Sequence, residues 1–186
     1  MSLGSRVITA LLILYPGLVY LGLTYSRVSA VAVLLIVVSI GRLILSSQIR
    51  PLGSSTSWIS AGGIVLAGTV LLRGSAQAML FYPTFVNLVL LTLFVHSLYS
   101  PPAVITVLAR VREPELSATA IRYTRRVTVV WSLFFLLNGS IALYTALWTT
   151  AETWALYNGL IAYMLVGVLI GGERLVRARM IEGSTP

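Results

Sequence analysis

Apolar residues in this chain come in long runs rather than in the short alternations of a half-buried strand. Stretches at roughly 7–24, 28–45, 57–73, 79–98, 128–147 and 154–172 are each long enough to cross a hydrocarbon core of about 30 Å at 1.5 Å per residue. Lipid offers no partner for exposed backbone groups, so each stretch has to close its hydrogen bonds as a helix. The pattern predicts an all-α integral membrane protein, a single transmembrane domain over 1–186 with six transmembrane helices. The first stretch has only Arg6 before it, lacks a small-residue cleavage site and is followed at once by a second span, so it reads as a retained helix, not a signal peptide.

The sizeable polar segment is 99–127, which opens with Ser100-Pro101-Pro102, a sequence that should end the fourth span. Two short amphipathic helices are predicted in this loop. Val104, Leu108 and Val111 recur at helical spacing in the first, and Leu116, Ala120, Tyr123 and Val127 form the apolar stripe of the second. Arg122, Arg125 and Arg126, at i, i+3 and i+4, gather on the other side of that second helix.

Composition strengthens the membrane assignment: 58% of residues are hydrophobic, only 10% are charged, and the mean hydropathy is +0.94. A soluble domain carries about 25% charged residues. The net charge of +8 comes from 13 arginines without a lysine, and these sit beside the apolar stretches, not on a nucleic-acid-binding face. Taking the N-terminus, the 46–56 loop with its flanks, the 99–127 loop and the C-terminal tail as one side, eleven arginines fall there, Arg110 and Arg112 among them. Only Arg27 and Arg73 fall on the other. Such asymmetry predicts a multi-pass protein with both termini in the cytoplasm. The far connections are too short for a domain, and Trp148 and Trp154 flank the last of them as interfacial aromatics would.

Candidate chemistry is sparse. There is no Cys and no Asp, His96 is the single histidine, and Glu113, Glu115, Glu152, Glu173 and Glu182 lie near or outside the span ends. The residues therefore suggest no metal site, no cofactor and no catalytic group beyond His96 as a conventional base. Polar side chains at membrane depth are costly and so are candidates. Asn87 lies about 12 Å from one end of the fourth span and Asn138 about 16 Å from the opposite end of the fifth, so antiparallel neighbours can pair them. Gly167 and Gly171, with Gly159 and Tyr163 on the same line, form a small-residue face suited to helix packing. Glu173 and Arg177 are spaced as a surface pair. Tyr15-Pro16 through Leu21 aligns with Tyr82-Pro83 through Leu88, in helices of opposite direction, a pattern that an inverted repeat would leave.

Tyr82-Pro83 with Asn87, Arg112-Glu113-Pro114-Glu115-Leu116, Arg122-Tyr123-Thr124-Arg125, Thr128, Trp131, Phe134-Phe135, Asn138-Gly139, Trp154, Tyr157-Asn158-Gly159, Tyr163 and Glu173 form a further pattern. The run from Phe81 to Arg177, about half the chain, resembles a family of uncharacterised bacterial inner-membrane proteins often encoded beside aryl-polyene or xanthomonadin-type biosynthetic genes. Pro83-x-x-x-Asn87 and Trp131-x-x-Phe134-Phe135 are more loosely similar to the intracellular septation protein A family, which has five spans where six are counted here. The first resemblance implies an envelope setting and the handling of acyl or polyene-lipid intermediates, and it supplies no catalytic residues.

These readings lead to a non-enzymatic accessory protein that binds membrane lipid or docks an acyl-carrier protein or other envelope biosynthesis protein. Its expected binding residues are Arg112, Arg122, Arg125, Arg126, Tyr82, Asn87, Trp131, Asn138, Asn158 and Tyr163. The alternatives are a homodimeric transporter or flippase with Asn87 and Asn138 along its path, and a membrane-embedded acyl- or phospho-transferase using His96.

Overall fold

The structure, a computed structural model, describes residues 15–25, 30, 33–34, 36–37, 64–65, 68, 77–111 and 113–182, with backbone alone over 177–182. Helices α1 (Tyr15–Thr24), α2 (Gln77–Leu80), α3 (Tyr82–Tyr99), α4 (Val104–Arg110), α5 (Ala118–Trp148) and α6 (Ala151–Leu156) precede a π-helical turn, Tyr157–Ile161, and helix α7 (Ala162–Glu182). No strand occurs among the described residues. Among the described residues, three segments are long and apolar enough to cross a membrane: Gln77–Tyr99, Ala118–Trp148 and Ala151–Val176. They contain the fourth, fifth and sixth predicted stretches. Most of the second and third stretches lie outside the described residues.

The burial pattern of α5 is that of a helix in lipid. Thr124, Thr128, Ser132, Phe135, Asn138, Ala142 and Thr145, mostly polar, are buried, whereas Leu133, Leu136, Leu137, Ile141 and Leu147 are exposed. In water this arrangement would cost heavily; in hydrocarbon it leaves apolar groups among acyl chains and polar ones hydrogen-bonded within protein.

Helix α5 also corrects the loop prediction. The second short helix and the fifth span form one continuous helix of 31 residues. Ser117 caps it, its Oγ accepting from the Ala120 amide at 3.2 Å. At 1.5 Å per residue α5 is about 46 Å long, roughly 16 Å more than a hydrocarbon core, so its first ten or so residues continue past the apolar zone.

Helix α4 lies along that extension. The Pro101–Pro102 peptide is cis, and beyond it α4 resumes where α3 stopped. Side chains serve its first amides: Ser97 Oγ accepts from Val104 at 3.1 Å and Thr128 Oγ1 from Ile105 at 3.4 Å. Thr106 and Thr124 share a hydroxyl hydrogen bond at 2.7 Å. The inward residues of α4 are thus Val104 and Thr106, while Leu108 and Val111, expected on one stripe with Val104, are exposed. Antiparallel α3 and α5 meet at Phe94 and Phe135, ring centroids 5.0 Å apart.

At the other end, the break between α2 and α3 organises three helices. Pro83 has no N–H to give the Met79 carbonyl four residues earlier. The Tyr15 hydroxyl donates to that carbonyl at 2.6 Å, and the Trp154 indole donates to the adjacent Leu80 carbonyl at 3.0 Å. Trp154, expected at the membrane interface, is fully buried instead, while Trp148 is 68% exposed. The Tyr15 and Tyr82 rings meet at 4.8 Å, so the two aligned Tyr-Pro motifs are in contact.

If Tyr15 is present to satisfy the carbonyl freed by Pro83, Tyr15→Phe should destabilise the native protein by about 1–2 kcal/mol. The same change in a Pro83→Ala background, where an amide is restored, should cost much less. Denaturant titrations of the four proteins in micelles check this; equal costs in both backgrounds would disprove the link.

Candidate functional site

A chain of hydrogen-bonded side chains links the three long helices. Asn87 Nδ2 donates to the Pro83 carbonyl at 2.8 Å, Asn138 Nδ2 donates to Asn87 Oδ1 at 3.1 Å, and the Tyr157 hydroxyl donates to Asn138 Oδ1 at 2.9 Å. The pairing expected from depth alone is therefore formed. Close approach of α3 and α5 here requires Gly139, since a Cβ at that position would lie 2.9 Å from Asn87 Cβ. The next residue, Asn158, donates through Nδ2 to Thr145 Oγ1, about two turns along α5 from Asn138, at 3.2 Å and to the Trp154 carbonyl at 3.0 Å.

The π-helical turn makes both contacts possible. Its i→i+5 bond, from the Ala162 amide to the Tyr157 carbonyl, widens the helix so that neighbours Tyr157 and Asn158 are both buried. Tyr157 was not among the expected binding residues. The signal that marks it is its helical spacing from Trp154, three residues earlier, but the wider turn cannot be read from spacing.

These side chains bond one another, which makes them interhelical ties more than ligand groups. The exception is Thr84, whose buried Oγ1 has no hydrogen-bond partner. The carbonyl a helical threonine ordinarily reaches, four residues back, is Leu80, which already accepts from Trp154.

The remaining expected residues separate into two groups. Tyr82 is buried against Tyr15, and Trp131 packs on Phe134 and Phe135 with centroids 5.8 and 5.6 Å away. Tyr163 is 39% exposed. Gly159 approaches Pro16, whose Cβ would lie 3.4 Å from an added Cβ, but Gly167 and Gly171 have nothing within 4 Å among the described residues. Among the described residues, this small-residue face meets a neighbour at Gly159. His96 lies exposed in the last turn of α3, and no group of three or more His, Cys, Asp or Glu that could hold a metal occurs among the described residues.

Arg122, Arg125 and Arg126 form the second group. All three are exposed on the extension of α5 beyond the apolar zone, on the side opposite the buried Thr124 and Thr128. Arg122 donates to Thr119 Oγ1 at 3.2 Å, and no carboxylate among the described residues pairs with any of the three. The neighbouring Tyr123 faces α7 instead, its hydroxyl donating to the Glu173 carbonyl at 3.2 Å. Arg112 and the side chain of Arg177, expected to pair with Glu173, lie outside the described residues. Compared with family models, curated proteins and solved structures, the chain matches none.

Gly139→Ala should lower stability by about 1–3 kcal/mol, because backbone and the Asn87 stem, not a flexible tip, must move. Gly167→Ala and Gly171→Ala should be neutral or stabilising by up to about 1 kcal/mol, as for open helical positions. Thermal unfolding in detergent separates the cases; a large loss at Gly167 or Gly171 would place another helix on that face.

Proposed function

We propose that this is a non-enzymatic accessory protein of the bacterial inner membrane that binds anionic lipid at the arginine-rich end of α5. The observation that carries the reading is the position of Arg122, Arg125 and Arg126: exposed, without a carboxylate partner among the described residues, and within about one and a half turns of the apolar segment. Arg126 adjoins the apolar segment and Arg122 lies only about 6 Å farther along the axis, which is headgroup depth, short of the aqueous space a soluble carrier protein would occupy.

The six-span, both-termini-cytoplasmic arrangement belongs to this proposal and is supported by the eleven-to-two arginine distribution; in that arrangement the same end meets the cytoplasmic leaflet, where anionic lipid attracts basic groups. A role in envelope or polyene-lipid biosynthesis is the setting suggested by the sequence resemblance. The transporter reading has less support, since Asn87 and Asn138 are engaged with each other and with Tyr157. The transferase reading has His96 but no carboxylate beside it among the described residues.

Native mass spectrometry of gently solubilised protein should show co-purifying anionic phospholipid that is lost when Arg122, Arg125 and Arg126 are all changed to Gln. Equal retention by both proteins would refute the proposal. Alkaline phosphatase fused after Trp148 should be active and a C-terminal fluorescent protein should fluoresce; the reverse pattern would overturn the orientation.

A further inference from the structure

The arginines do not stand alone on their side of α5. At 100° per residue, Arg122, Arg125 and Arg126 share a face with Val129, Leu133, Leu136 and Leu137, all exposed, and this face is opposite the buried line through Thr124, Thr128 and Phe135. One unbroken strip thus runs from guanidinium groups at one end to bare aliphatic side chains along the apolar part of the helix. A soluble anion or an acidic protein would use only the charged end. A phospholipid lying parallel to the helix uses both, its phosphate at the arginines and an acyl chain on the leucines.

The charged end also narrows the headgroup. Three guanidinium groups lie within about one and a half turns, and Arg122, though tied to Thr119 through one nitrogen, keeps other N–H donors. A phosphodiester offers two unesterified oxygens and one negative charge. A phosphomonoester offers three terminal oxygens and a charge between about −1.5 and −2 at pH 7. Guanidinium forks match such oxygens in a way that ammonium groups do not.

Resting on the anionic-lipid reading above, we propose that the strip is a site for a single phosphomonoester lipid of the phosphatidic acid type, with its phosphate on Arg122, Arg125 and Arg126 and its acyl chain along Val129, Leu133 and Leu136. The lipid sits on the outer surface of one helix, so the site needs no cavity. One more charge-assisted hydrogen bond than a phosphodiester can make corresponds to roughly a tenfold preference.

The full chain in phosphatidylcholine nanodiscs, doped with phosphatidic acid or phosphatidylglycerol carrying a photoreactive acyl chain, tests this directly. Phosphatidic acid should label the Val129–Leu137 stretch about tenfold more than phosphatidylglycerol does. The triple Arg→Gln variant should lose labelling there by both lipids. The triple Arg→Lys variant, with charge kept and forks removed, should still attract both but without preference. Size-exclusion profiles matching the native protein show that the variants are folded, and Arg125→Gln alone, with one fork fewer, should show a reduced preference.

Equal labelling by the two lipids in the native protein, or labels spread over all three long helices, would overturn the phosphomonoester site while leaving a general anionic-lipid surface standing. Undiminished binding of both lipids by the triple Arg→Gln variant would overturn that surface as well. Capture of an acidic carrier protein by the arginines, with no headgroup preference, would also overturn the site.

Discussion

A carbonyl in hydrocarbon can bond only with protein, and Pro83 frees one at Met79 by having no amide to offer it. Much of one end of the molecule follows from that omission. Tyr15 brings α1 to the break and Trp154 brings α6, so that two unrelated side chains converge on consecutive carbonyls and bury Met79 between them. One residue beyond Pro83, the Thr84 hydroxyl is buried without a hydrogen-bond partner. A proline that elsewhere would merely kink a helix here defines where three helices meet.

The same constraint turns α5 inside out. Lipid tails are as apolar as leucine, so hydrophobic burial cannot hold these helices together, and association depends on close backbone approach and shared hydrogen bonds. Gly139 supplies the first beside Asn87, and the Asn87, Asn138 and Tyr157 chain supplies the second. Individual ties of this kind contribute only around 1 kcal/mol. Their value lies in direction: an amide pair fixes the axial register of α3 on α5, which interchangeable aliphatic contacts would leave free to slide.

What the sequence discloses follows from which forces act locally. Apolar runs mark the long helices because membrane thickness sets one length for all of them, and depth counted along two runs was enough to pair Asn87 with Asn138. The join between the loop helix and the fifth span escaped the pattern. Arg122, Arg125 and Arg126 lower the hydropathy where the helix leaves the apolar zone, which imitates a helix end although no Pro or Gly lies between Pro114 and the apolar stretch. Trp154 misleads in the opposite sense, since a tryptophan near a span end suits an interface or a buried carbonyl equally, and only the break at Phe81 decides between them. The π-helical turn is a response to two partners on α5, so nothing within 157–161 alone announces it.

The two faces of α5 answer to different solvents, and this determines where recognition can occur. A guanidinium on the inward line of Thr124 and Thr128 would need a buried carboxylate, and none occurs there among the described residues. On the outward line it reaches headgroups and water with its charge intact, and its alkyl stem continues the aliphatic surface below. Under the proposed function, the helix that packs its hydroxyls inward presents its arginines to lipid without further machinery. In that proposal, recognition is a property of a helix surface extended past the hydrocarbon, and the length of α5 matters as much as its charge: without the extension, the arginines would either lie inside the apolar zone or be absent.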